Sequence, residues 1–112
     1  MFRYTVPLFI AEHSGSRVRS RKEATMKTRI AVISIIVENT EKIEELNKLL
    51  FENREYIIGR MGIPYKEKKV NLISIAIDAP EDVINTLSGR VGRLPGVSAK
   101  TNYSNIITEV DA

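Results

Sequence analysis

Apolar positions in this chain fall into four strand-like stretches and two helical ones. Residues 28–37 read Thr-Arg-Ile-Ala-Val-Ile-Ser-Ile-Ile-Val, β-branched and almost continuously apolar, as in a central strand covered on both sides. One face would carry Ile30, Val32, Ser34 and Ile36, the other Ala31, Ile33, Ile35 and Val37. Helices can cover only one of these faces, so the second apolar face predicts a further layer, most simply another copy of the chain. Glu38-Asn39-Thr40 then supplies a helix start with Asn39 or Thr40 as N-cap. The spacing of Ile43, Leu46, Leu49, Leu50 and Asn53 predicts a helix over about 41–54.

Residues 55–65 are predicted as a second strand, weakened by Gly59 and Gly62. Glycines there mark a bulge or a close backbone approach, and Pro64, with no N–H to give, belongs on a sheet edge. Residues 65–69 make a polar hairpin turn. Over 70–77, Ile73, Ile75 and Ile77 alternate with Leu72, Ser74 and Ala76, the period of a third strand. Asp78-Ala-Pro-Glu81 has the spacing of a capping box, with Pro80 tolerated in the first turn. A second helix follows with Val83, Ile84, Leu87, Val91 and Leu94 on one face. A fourth strand over 97–108 is polar for much of its length, and 109–112 read as a tail.

The order β-α-β-β-α-β predicts an α+β, ferredoxin-like domain: two helices on one face of a four-stranded antiparallel sheet. Strands one and three would be central, strands two and four edges. The domain would span 26–108. Residues 1–25 differ from it: Ser14-Gly-Ser-Arg-Val-Arg-Ser-Arg-Lys22 is polar, basic and without period. We read 1–25 as a disordered or artefactual extension rather than a nucleic-acid-binding arm. Lys22-Glu23-Ala24 is what a purine-rich ribosome-binding sequence would encode, and Met26 follows as a plausible start.

Charge sharpens that division. Of the 17 basic and 14 acidic residues, five basic and two acidic lie in 1–25, leaving twelve of each in the remainder. The core is neutral, which argues against direct nucleic-acid binding by it. An RNA-recognition module of the same strand order needs aromatics on its central strands, and these have none. No cysteine is present, and the lone histidine is His13. Thiolate metal sites, iron–sulfur ligation, cysteine nucleophiles and histidine metal clusters are thereby excluded. No glycine-rich phosphate loop appears. No apolar run has the length of a membrane helix and no secretory signal is legible, so a cytoplasmic protein is expected. Absent glutamine, with abundant Ile, Glu and Lys, is consistent with a thermophilic source.

What remains is binding rather than catalysis, with no catalytic residue, metal or cofactor expected. Pairing of copies along the second strand would use Ile58, Gly59, Met61, Gly62 and Tyr65. It would place Arg60 near the seam, beside the first helix start, where Asn39 and Thr40 offer groups to a small anion. The competing reading makes Arg60 an intersubunit ion pair and Asn39 only a cap.

Several stretches carry a family resemblance: Arg29-Ile-Ala-Val-Ile-Ser-Ile-Ile-Val-Glu38, Ile58-Gly-Arg-Met-Gly-Ile-Pro-Tyr65, Asn71-Leu-Ile-Ser-Ile75, Leu87-Ser-Gly-Arg-Val-Gly-Arg-Leu-Pro-Gly-Val97 and Lys100-Thr101. Over about 26–107 the chain resembles the small ACT-like proteins, with a Thermotoga representative, assigned to regulation of iron-only hydrogenase systems. The resemblance implies a non-catalytic regulatory domain related in shape to the ligand-binding domain of nickel-responsive repressors. It also implies homodimers or tetramers that bind a small-molecule effector or a partner protein. Residues 26–112 lack the histidine and cysteine ligands of those repressors, and Asn39-Thr40 stands where amino-acid-binding ACT domains often carry glycine. The alternatives are an oligomeric interaction module with no small ligand, and an enzyme with a pocket between subunits.

Overall fold

The computed structural model describes residues 25–111, and the readings made above for 1–24, including His13, lie outside them. Four strands and two helices follow in the expected order: β1 (Thr25–Val37), α1 (Ile43–Glu52), β2 (Ile57–Tyr65), β3 (Val70–Ala79), α2 (Glu81–Gly92) and β4 (Val97–Asp111). The sheet order is β2-β3-β1-β4, all neighbours antiparallel, so β1 and β3 are central and β2 and β4 are edges. This is the ferredoxin-like α+β arrangement.

The alternation read in β1 is realised in three dimensions. Ala31, Ile33, Ile35 and Val37 are buried, with Ala31, Ile33 and Ile35 facing Ile77, Ile75 and Ile73 of β3 across the register. Leu46, Leu49 and Leu50 of α1 and Ile84, Leu87 and Val91 of α2 close that face into the core. Among the described residues no buried side-chain polar atom in this structure lacks a hydrogen-bond partner.

Local outcomes differ from the sequence reading at three places. Asn39 does cap, accepting from the Glu41 N–H at 3.1 Å, but the turn it starts is a short 3₁₀ segment (Thr40–Lys42) leading into α1. Asp78 does not hold the cap position: it lies in β3 opposite Ile30, and Pro80 stands at the N-cap of α2. The β ladder holds Asp78 extended, and Ala79 before proline is held out of the helical region as well. Finally, β4 does not end in a tail at Glu109. It continues to Asp111, where Thr25–Arg29 pair with Ile107–Asp111 beyond a bulge in the β1–β4 register.

Gly96 fastens the sheet to the β1–α1 loop. Its φ is +74°, and a Cβ there would lie 2.5 Å from the Cβ of Asn39. Its carbonyl accepts from the Glu38 and Asn39 N–H groups at 2.7 and 3.3 Å. Only glycine suits both the left-handed backbone and the contact.

Candidate functional site

Strand β2 sorts the residues singled out above onto two faces. Opposite Ser74, Leu72 and Val70 of β3, the side chains of Met61, Ile63 and Tyr65 lie on the sheet face away from the helices. Arg60, Gly62 and Pro64, opposite Ile75, Ile73 and Asn71, lie on the helix side. A bulge between Ile57 and Gly59 leaves Ile58 unmatched, which realises the irregularity that the glycines signalled. Gly59 is buried.

The helix-free sheet face is apolar. Ile30, Val32, Ile36, Met61, Leu72 and the bulged Ile58 are each 38–43% exposed. A shallow groove of about 250 Å³ runs across it between Ile36, Met61, Ile63 and Leu72, with Ser34 and Ser74 on its floor. Six large apolar side chains held half in water by a rigid sheet are costly to hydrate, and such patches mark contact surfaces.

On the other side of β2 lies a cleft of about 450 Å³ between α1 and the β2–β3 edge. Ile43 and Asn47 from α1, Arg60 to Pro64 from β2 (Met61 excepted), and Asn71 and Ile73 from β3 line it. It opens between the α1 face that carries Ile43 and Asn47 and the helix side of β2 and β3. Gly62 widens it, since a Cβ built there would meet nothing within 4 Å. Partial burial lowers the Arg60 pKa from its ordinary value, and its guanidinium makes no hydrogen bond or ion pair among the described residues. A half-desolvated cation facing two side-chain amides and an apolar wall can receive an oxyanion.

The structure does not bring Asn39 and Thr40 to Arg60 in this cleft. Asn39 is occupied by its cap and by Gly96, and Thr40 is an exposed residue of the 3₁₀ turn. Asn47 and Asn71 are the cleft residues that sequence reading passed over. Their signal is an unfavourable placement: asparagine is poor in a helix interior and in a strand, and neither residue caps anything.

The opposite edge offers a control. Arg29 on β1 stacks over the Tyr103 ring at 4.6 Å, donates to the Ser104 carbonyl from Nε at 3.2 Å and from Nη2 at 3.0 Å, and pairs with Glu81 at 3.4 Å. The Tyr103 hydroxyl donates to Asn85 Oδ1, and Thr101 donates to Ser88 at 2.9 Å. These contacts hold α2 onto the β1–β4 side of the sheet. A third groove, between the helices, is floored by Leu49 and Leu94 and crossed by the Arg90–Glu52 pair at 3.9 Å. Among the described residues no group of three or more His, Asp or Glu side chains is arranged to hold a metal ion, and no helix is long and apolar enough to cross a membrane.

Comparisons with known proteins agree with this architecture. The uncharacterized protein TM1266 from Thermotoga maritima matches at 30% identity and a TM-score of 0.65, over 68% of this chain and 96% of that one. A formyltetrahydrofolate deformylase from Pseudomonas putida KT2440 matches at 14% identity and a TM-score of 0.52, over 69% of this chain and 29% of the enzyme. That second likeness shows the fold alone. No curated protein matches the chain. The TM1266-like family model, whose provisional description is iron-only hydrogenase system regulator, covers residues 29–101, from the first core strand to the middle of the last, and the chain belongs to that family.

Proposed function

We propose that the chain is a non-catalytic, ACT-like regulatory domain that acts in the cytoplasm as an assembly of identical copies. In this reading an effector or partner protein biases that assembly. The observation that carries it is the apolar, helix-free sheet face, continuous with the β2 edge at Met61 and Ile58. A second copy laid on that face would remove six large apolar side chains from water, at roughly 25 cal/mol per Å² covered. Ile58, Gly59, Met61 and Tyr65 belong to the seam on this reading, whereas Gly62, expected there from the sequence, turns to the helix side and the cleft. Membership of a regulator family supports a role without chemistry of its own, and regulation of iron-only hydrogenase systems is the role its description offers.

Met61→Glu tests it. Met61 is exposed, so the monomer should keep its fold while the charge opposes burial of the face. Sedimentation equilibrium should show a multimer for the parent chain and a shift to monomer for the variant. A parent chain that sediments as a monomer at about 100 μM, some hundredfold above a micromolar Kd, would end the proposal.

A further inference from the structure

The α1–β2 cleft has the components of a binding site for a small acid. Its cation is Arg60, partly withdrawn from water and without a hydrogen bond or ion pair among the described residues. Arginine at an edge strand, turned to the helix side, also discourages sheet-to-sheet aggregation. That role alone explains neither the open space at Gly62 nor the two amides that share the cleft. Its volume of about 450 Å³ lies within the usual range for small-molecule sites.

The lining also says what the ligand lacks. None of the lining residues is acidic, so a ligand's ammonium group would be desolvated beside Arg60 with no counter-charge. Asn47 and Asn71 can instead donate their amide N–H groups to a neutral carbonyl oxygen. Ile43 and Ile73 leave an apolar wall suited to a branched aliphatic body.

We infer that the Arg60 cleft binds a small aliphatic 2-oxo acid. Arg60 takes the carboxylate in a two-point contact, the Asn47 and Asn71 amides take the oxo oxygen, and the isoleucine wall takes the hydrocarbon. The amino acid of the same skeleton is rejected for its ammonium. This assignment rests on the effector-binding part of the proposed function and adds the ligand class. Because β2 contributes its helix side to the cleft and its other side to the apolar face, occupancy and assembly share one strand.

The test uses the full chain, ¹⁵N-labelled, titrated with 4-methyl-2-oxopentanoate, with leucine and with inorganic phosphate. Saturable shifts should centre on the amides of Gly62, Asn71 and Ile73 with the oxo acid, while leucine and phosphate bind at least about tenfold more weakly. Arg60→Gln should weaken the oxo acid by about tenfold or more, while Arg60→Lys retains part of the affinity. Gly62→Leu, directed into open space, is a second variant that folds independently of the arginine, and it should abolish the shifts by filling the cleft. Equal binding of leucine or phosphate overturns the assignment. So does undiminished binding by Gly62→Leu, or no saturable shift up to about 10 mM oxo acid, beyond millimolar Kd. A blank titration with assembly intact removes the cleft and leaves the assembly reading standing; a monomeric parent chain that binds the oxo acid does the reverse.

Discussion

The two edges of the sheet are built on opposite principles. At the β4 edge the arginine is fully partnered and the glycine has a neighbour: Arg29 is stacked, twice hydrogen-bonded and ion-paired, and Gly96 sits against Asn39. At the β2 edge Arg60 makes no ion pair or hydrogen bond among the described residues, and Gly62 faces open space. Both arginines lie on the helix side of the sheet. The difference comes from the helices: α2 lies along β4, whereas α1 stands off from β2 and leaves a cleft. An arginine saturated by its own chain stabilises the fold, and one left short of partners is available to something else.

The glycines should separate the edges most widely. Gly96→Ala places a Cβ against Asn39 on a left-handed backbone and should cost about 2–4 kcal/mol. Gly62→Ala should stay within about 0.5 kcal/mol, since β2 gains a residue better suited to a strand. Urea unfolding of both variants checks this. Equal losses would erase the contrast between a filled edge and an open one.

The arginines come next. Arg29→Met removes a stack, charged hydrogen bonds and an ion pair whose acidic partner is half exposed, and should cost about 2 kcal/mol. Arg60→Met keeps an apolar stem and removes a cation that is partly desolvated without a partner. Its stability should be unchanged or raised by up to about 1 kcal/mol. Thermal midpoints moving in the same direction by similar amounts would break the comparison.

The smallest effect is alkaline. Partial burial, then the charge of Glu81, raises the Tyr103 pKa, and Arg29 opposes them. The folded state therefore holds the phenolic proton more tightly than the unfolded one. That contribution is complete below the ordinary value of 10.0 and is lost as pH climbs through the higher folded value. Tyr103→Phe should flatten the decline in stability above pH 10 relative to the parent chain, and an unchanged slope would show that the hydroxyl is not coupled to folding.

Much of the architecture was legible because it depends on periods of two and 3.6 residues. The alternation in β1 and β3, the apolar faces of α1 and α2, and the edge position of β2 signalled by Pro64 are all local patterns. The bulge beside Gly59 was legible for the same reason. Asp78 was misread because a local capping pattern competes with a ladder to a strand nearly fifty residues away, and the ladder prevailed. Of the candidate ligand residues Arg60 lines the α1–β2 cleft, and its companions there come from α1 and β3 rather than from Asn39 and Thr40.

Sequence alone thus determined the order of elements, the inward face of each and the existence of a second apolar sheet face. These follow from backbone geometry and from where each apolar side chain must go. Tertiary structure alone decided that Arg29 is used up and Arg60 is not. Whether a charge finds a partner depends on how far each helix stands from the strand beneath it, and that spacing is set by packing of the whole core rather than by any stretch of neighbouring residues.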